Sequence, residues 1–194
     1  MPRKSSRALW SAKLQGKSLT GKSAVPNLLN LRSPYEGCVL GVDPSLRSTG
    51  LALIKFVPGK SPKLLLHQTI KLERKLPLPA CLGKISHTVS TILDSTKVDH
   101  VALEQTIYVQ NFQTAQTLGA VRGAVIAAAA MRGLPISEYP PLRVKQAVVG
   151  FGRASKAQVM GMIRSLLKLE NALEPDESDA AGVAFCHVST CRSV

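Results

Sequence analysis

Four acidic residues stand where one chain could use them together. Asp43 closes the apolar run Val39-Leu40-Gly41-Val42, Glu104 closes Val101-Ala102-Leu103, and Asp176 and Asp179 open an apolar segment near the C-terminus. Singly, each has an ordinary role. Asp43 before Pro44 can start a turn, Glu104 can be an exposed strand end, and acids are common at helix N-termini. Jointly they form a pattern: the two runs read as strands, and functional groups of an open α/β sheet gather beyond the carboxyl ends of its parallel strands. Asp176 and Asp179, three residues apart, fall on one face of a helix, one turn deep, where both can hold a single cation.

Such a cluster is unstable as bare anions, because like charges raise one another's pKa, and divalent metal is the usual remedy. All-oxygen ligands suit Mg²⁺ or Mn²⁺ better than zinc. Two such ions about 4 Å apart can activate a water and stabilise the leaving oxygen of a phosphodiester in an in-line displacement. In a basic protein this is nuclease chemistry.

The elements that must position these acids can be read in order. Around Asp43, Val39–Asp43 and Gly50–Ile54 are two β-prone runs joined through Pro44 and Ser45, the chemistry of a strand, a tight turn and a strand. Lys63–Ile70 follows Pro58-Gly59 as a third strand, and such a meander is antiparallel. Leu82, Ile85, Val89, Ile92 and Leu93 recur at helical spacing, and Asp99–Glu104 is the fourth strand. A long helix runs from Phe112 or Gln113 to about Arg132 with Asn111 as cap. Its Gly119, Ala120, Gly123, Ala124, Ala127 and Ala128 make one side small, suited to packing on the sheet or to a subunit interface. Pro135–Tyr139 is a fifth strand, Leu142–Val149 a short helix, and Ser155 caps a helix to about Leu169 striped by Val159, Met162, Ile163, Leu166 and Leu167. Pro175 and its acids open the last helix. Three antiparallel strands, then strand-helix-strand and further helices, make the ribonuclease H-like α/β arrangement: a five-stranded mixed sheet with helices on both faces. Its first and fourth strands are neighbours, which would bring the acids together.

The whole chain has 194 residues, 45% of them apolar but only 4% aromatic, enough for one domain whose core is mainly Leu, Val, Ile and Ala. Lys and Arg number 25 against 12 acids, a formal charge of +13, which favours a polyanionic partner. No apolar run is long enough to span a bilayer: the best, Leu118–Met131, has 14 residues and contains Arg122. A soluble protein without membrane partners is expected. Residues 1–36 divide from 37–194 by composition. Arg3, Lys4, Arg7, Lys13, Lys17, Lys22 and Arg32 precede the first acid, Glu36. The stretch reads as a disordered basic extension or, less well, an organelle targeting leader. Cys38, Cys81, Cys186 and Cys191 form no Cys-x-x-Cys pair, and Cys186, His187 and Cys191 are poorly spaced for zinc. Buried thiols in a reducing cytoplasm fit them better.

Five segments in unbroken order resemble the RuvC family of crossover junction endodeoxyribonucleases. They are Gly41-Val42-Asp43-Pro44 with Thr49-Gly50; Leu103-Glu104-Gln105; Glu138-Tyr139 with Val144–Gly150; Lys156–Val159 with Leu166-Leu167; and Asp176–Asp179 before His187-Val188-Ser189. The resemblance spans about residues 38–190. It implies that Asp43, Glu104, Asp176 and Asp179 are metal-binding catalytic acids. It assigns Lys145 and Lys156 to junction binding and catalysis, where solvated surface charge is the plain alternative. It also implies a Mg²⁺-dependent enzyme, with two ions per subunit and Mn²⁺ as substitute, that works as a homodimer. Paired symmetric nicks in a four-way (Holliday) junction, during recombination and repair, would leave 5′-phosphate and 3′-hydroxyl ends. Whether a branch-migration motor presents the junction is left open.

Departures from the family pattern are equally specific. Ile107 stands where familiar members carry a base-stacking aromatic, and Tyr108 or the nearby Phe112 could substitute, with core packing the alternative for Tyr108. Ser45 occupies a common glycine position, two residues are inserted between Asp43 and Glu104, and the basic leader lies outside the resemblance. Two rivals stay open: a related nuclease for another branched DNA or RNA, and a non-catalytic nucleic-acid-binding protein. The acids weigh against the latter, since carboxylates near phosphate weaken binding unless metal is present.

Overall fold

The structure, a computed structural model, describes residues 35–105 and 111–191. Strands β1 (Gly37–Asp43), β2 (Ser48–Phe56) and β3 (Lys63–Lys71) form an antiparallel meander, and β4 (His100–Glu104) and β5 (Ile136–Tyr139) complete the sheet. The order is β3-β2-β1-β4-β5. β1 pairs antiparallel with β2 and parallel with β4, and β4 pairs parallel with β5. This is the ribonuclease H-like mixed sheet that the sequence predicts.

Side-chain alternation along the strands divides the core in two. Leu40, Val42, Leu51, Leu53, Val101 and Leu103 point to one face, against α1 (Leu78–Ser95) and α2 (Phe112–Ala130). Val39, Ala52, Ile54 and Ala102 point to the other, against α3 (Pro141–Val149), α4 (Lys156–Leu167) and α5 (Pro175–Thr190). Since β1 and β4 are covered on both faces, their interiors are continuous apolar runs.

Local signals set the helix ends. Asn111 accepts a hydrogen bond from the Thr114 amide as the N-cap of α2, and Ser155 forms a reciprocal capping box with Gln158 at the start of α4. α3 begins at Pro141, because a proline that interrupts a strand is well suited to the first helical position. α4 stops at Leu167 rather than Leu169, since Lys168 turns left-handed with φ 53° and carries the C-cap. The small side of α2 splits: Ala128 packs on the core, whereas Gly119 and Gly123 have open space where a side chain would be. Cys38, Cys81 and Cys186 are buried thiols. Among the described residues, no helix is long and apolar enough to cross a membrane.

Candidate active site

The site begins with two missing side chains. Helix α5 crosses β1 and β2 so closely that a methyl group at Gly41 would stand 2.0 Å from the Ala180 carbonyl oxygen, and one at Gly50 would stand 1.9 Å from that of Asp176. Only glycine permits this main-chain approach. Asp43 is two residues beyond Gly41 and lies opposite Gly50 in the ladder, so it points to the same face as both. In the parallel ladder Val42 pairs with Leu103, which leaves Asp43 and Glu104 side by side at the strand ends. The glycine seat delivers the first turn of α5 directly onto them.

The turn after Asp43 is tied shut by Thr49, which is fully buried and whose hydroxyl donates to the Ser45 carbonyl. Ser45 itself is not in the left-handed region, so serine in place of glycine costs no backbone strain there. Arg47 then donates from Nη1 to the carbonyls of Glu73 at 2.6 Å and Leu76 at 3.0 Å, fixing the connection to α1.

Electrostatically the site is crowded with one sign. The Asp43 and Glu104 carboxyls are both pushed up from the ordinary carboxylate range. Burial is the main force raising both pKa values; the Asp179 charge adds to it for Asp43, and the Asp43 charge for Glu104. Asp176 contributes further repulsion at Asp43. Two cationic or polar groups already answer the helix acids: Lys156 donates from Nζ to Asp179 Oδ2 at 3.0 Å, and the Ser48 hydroxyl donates to Asp176 Oδ2. The Lys156 pKa is raised, first by that hydrogen bond.

Asp43, Glu104, Asp179, Lys145 and Lys156 open into one cavity of about 290 Å³, whose remaining wall is Pro141, Val144 and Val159. α3 supplies Lys145 between its buried Val144 and Val148, and the capping box puts Lys156 at the first residue of α4. Of the residues singled out in the sequence, Asp176 does not line the cavity and Tyr108 lies outside the described residues. Phe112 is 75% exposed at the start of α2. Among the described residues, no three acid, His or Cys side chains form a ready-made ligand group, and that includes Cys186, His187 and Cys191. The donor set nevertheless suits a hard divalent ion: it is all carboxylate, and burial together with mutual repulsion raises the pKa values of Asp43 and Glu104.

Sequence reasoning missed the residues that fix α5 from outside the acid set. Besides Ser48 these are His67, whose Nδ1 lies 2.7 Å from Glu177 Oε2, and Lys71, whose Nζ lies 2.8 Å from Glu174 Oε2. Both residues sit on β3, more than 100 residues away along the chain. The alternation of β3 was the only signal that could have pointed them toward α5.

A family profile described as "Crossover junction endodeoxyribonuclease RuvC" matches residues 39–187. The RuvC crossover junction endodeoxyribonuclease of Halorhodospira halophila is 39% identical over 149 residues, covering 77% of this chain and 88% of its own length. That of Shewanella pealeana is 41% identical over 156 residues, covering 80% and 89%. Among solved structures, Thermus thermophilus RuvC in complex with Holliday junction substrate superposes with a TM-score of 0.74 at 31% identity, over 78% of this chain and 92% of that one. With a profile match over most of the chain and relatives aligned over nearly their full length, the chain belongs to the RuvC family of crossover junction endodeoxyribonucleases.

Proposed function

We propose that this protein is a metal-dependent, structure-specific endonuclease that cuts four-way DNA junctions by paired, symmetric nicks. One observation carries the reading: three carboxylates and two lysines, drawn from β1, β4, α3, α4 and α5, open into the same cavity in a chain of this family. Asp43, Glu104, Asp176 and Asp179 would hold Mg²⁺ or Mn²⁺, as one or two ions, and a bound ion of this kind supplies Lewis acidity toward a scissile phosphate and its nucleophile.

The chain's own groups account for the remainder of the chemistry. Lys156 and Lys145 are compact point charges suited to phosphate oxygens, and Lys156 also donates to Asp179 Oδ2 at 3.0 Å. Val144, Val159 and Pro141 give the cavity a water-poor wall, which strengthens every electrostatic contact beside it. The formal charge of +13 supplies non-specific attraction to the DNA backbone. Two symmetry-related nicks need two sites, which a homodimer provides. The unoccupied side-chain space at Gly119 and Gly123 lets another helix approach α2 closely, and Tyr108 would supply a stacking face beside the opened junction.

The test compares a labelled synthetic four-way junction with a linear duplex of the same sequence, in Mg²⁺ and in chelator, for the native chain and Asp43→Asn. Paired nicks in the junction alone, lost with chelator or with the substitution, are expected. Metal-dependent cutting of both substrates would remove the junction specificity, and binding without cutting would remove the enzyme.

A further inference from the structure

Resting on that reading, we propose that Glu177 and His67 are positioning residues for the metal centre. A fifth carboxylate sits between Asp176 and Asp179 on the chain, yet Glu177 does not line the cavity. It turns the other way. Glu177 is 7% exposed, and its Oε2 accepts hydrogen bonds from His67 Nδ1 at 2.7 Å and from the Glu174 amide at 3.3 Å. The neighbouring pair Lys71–Glu174, at 2.8 Å, repeats the link one helical turn earlier. Both partners come from β3, where His67 pairs with Ala52 and Lys71 with Ser48, on the face that carries α5.

The first turn of a helix is where fraying is expected, because its amides lack intrahelical partners. Here that turn carries Asp176 and leads directly into Asp179, two of the acids proposed to hold the metal. It is restrained on three sides: the Gly50 backbone beneath Asp176, the Ser48 hydroxyl on the Asp176 carboxylate, and β3 through Glu177 and Glu174. Capture by His67 has a second effect, since it removes Glu177 from competition as a ligand and fixes the rotation of the turn about the helix axis. Asp176 and Asp179 flank Glu177 on the chain, so a slack turn would move both at once.

The experiment measures Mn²⁺ binding to the full chain by electron paramagnetic resonance, beside the Mg²⁺ dependence of junction nicking. His67 is half exposed on β3, so His67→Ala leaves the core intact. It is expected to weaken Mn²⁺ binding about tenfold, in the range usual for groups that orient metal ligands. The metal concentration for half-maximal nicking should rise by the same factor, with the rate at saturating metal within about twofold of native. His67→Asn, whose amide can replace the Nδ1 donor, should restore binding, and Glu177→Ala should match His67→Ala. Unchanged Mn²⁺ affinity in His67→Ala, including a lower melting temperature with affinity intact, would overturn the proposal and reduce the pair to a helix cap. A native chain that binds Mn²⁺ but nicks no junction would overturn the nuclease reading alone, and the binding series would still decide the positioning role. A native chain that binds no Mn²⁺ would overturn both.

Discussion

Helix α5 buries titratable groups at each of its ends, and the two ends treat them in opposite ways. At its N-terminal end Asp43, Glu104, Asp176 and Asp179 crowd like groups together, and burial with that repulsion pushes up the pKa values of Asp43 and Glu104. At its C-terminal end His187, fully buried, is completely provided for. Its Nδ1 lies 2.9 Å from the Tyr139 hydroxyl and its Nε2 3.6 Å from Cys191 Sγ; its ring stacks on His100 at 3.8 Å and takes the edge of Tyr35 at 5.4 Å. Burial, and then His100, hold the imidazole down to about 4, so it stays neutral. A satisfied buried network stabilises and specifies a core. A repulsive one is retained where it serves chemistry. One helix therefore carries a structural anchor at one end and the candidate chemistry at the other.

That contrast can be broken or sharpened by substitution, beginning at the acid end. Glu104→Gln should lower junction cleavage on the order of a thousandfold while leaving denaturant stability equal to native or higher, because it replaces a buried carboxyl whose ionisation burial and Asp43 oppose with a neutral group of the same shape; a matching loss of stability would show that the acids hold the fold. Gly41→Ala attacks the seat instead. With its methyl 2.0 Å from the Ala180 carbonyl oxygen, α5 must lift, and a loss of about 2 to 3 kcal/mol in urea unfolding should accompany reduced cleavage.

Effects at the histidine end should appear in stability alone. The His187 pKa falls from 6.5 to about 4 on folding, so the unfolded chain binds more protons between those values. Stability from this residue is full above about pH 6.5 and is lost as pH drops toward 4, by about 2 to 3 kcal/mol. Urea titrations across that range, compared with His187→Gln, should show the difference in slope. Tyr139→Phe leaves the His187 Nδ1 without its partner and should cost about 1 kcal/mol. Cleavage at a temperature where the variant is folded should stay within about twofold of native.

Much of this arrangement was legible in the sequence, for identifiable reasons. Periodicity and capping residues located the strands and helices, and Asp43, Glu104 and Asp179 were findable because each stands at an element end that the topology brings to one place. The two lysines came from motif resemblance, as neither α3 nor α4 marks them by pattern. What stayed hidden depends on pairing between distant segments. His67 faces Glu177 only because β3 pairs with β2 in a register that shifts between Leu53 and Ile54, and Ser48 reaches Asp176 across 128 residues of sequence. Glu177 read as one more capping acid, which it is, but its second partner is on another element.

The glycine seat under α5 has a further consequence for how the chain tolerates change. Where helix and sheet meet through main chain, their separation does not depend on the size of any interposed side chain. The apolar residues on either face of the sheet can therefore exchange volume with one another, and the layers they fill can thicken or thin, while the spacing of Asp43 from Asp176 and Asp179 stays at its limiting value. Sequence drift in the core and constancy at the carboxylates become compatible, because the distance that matters is set by two atoms the chain leaves out.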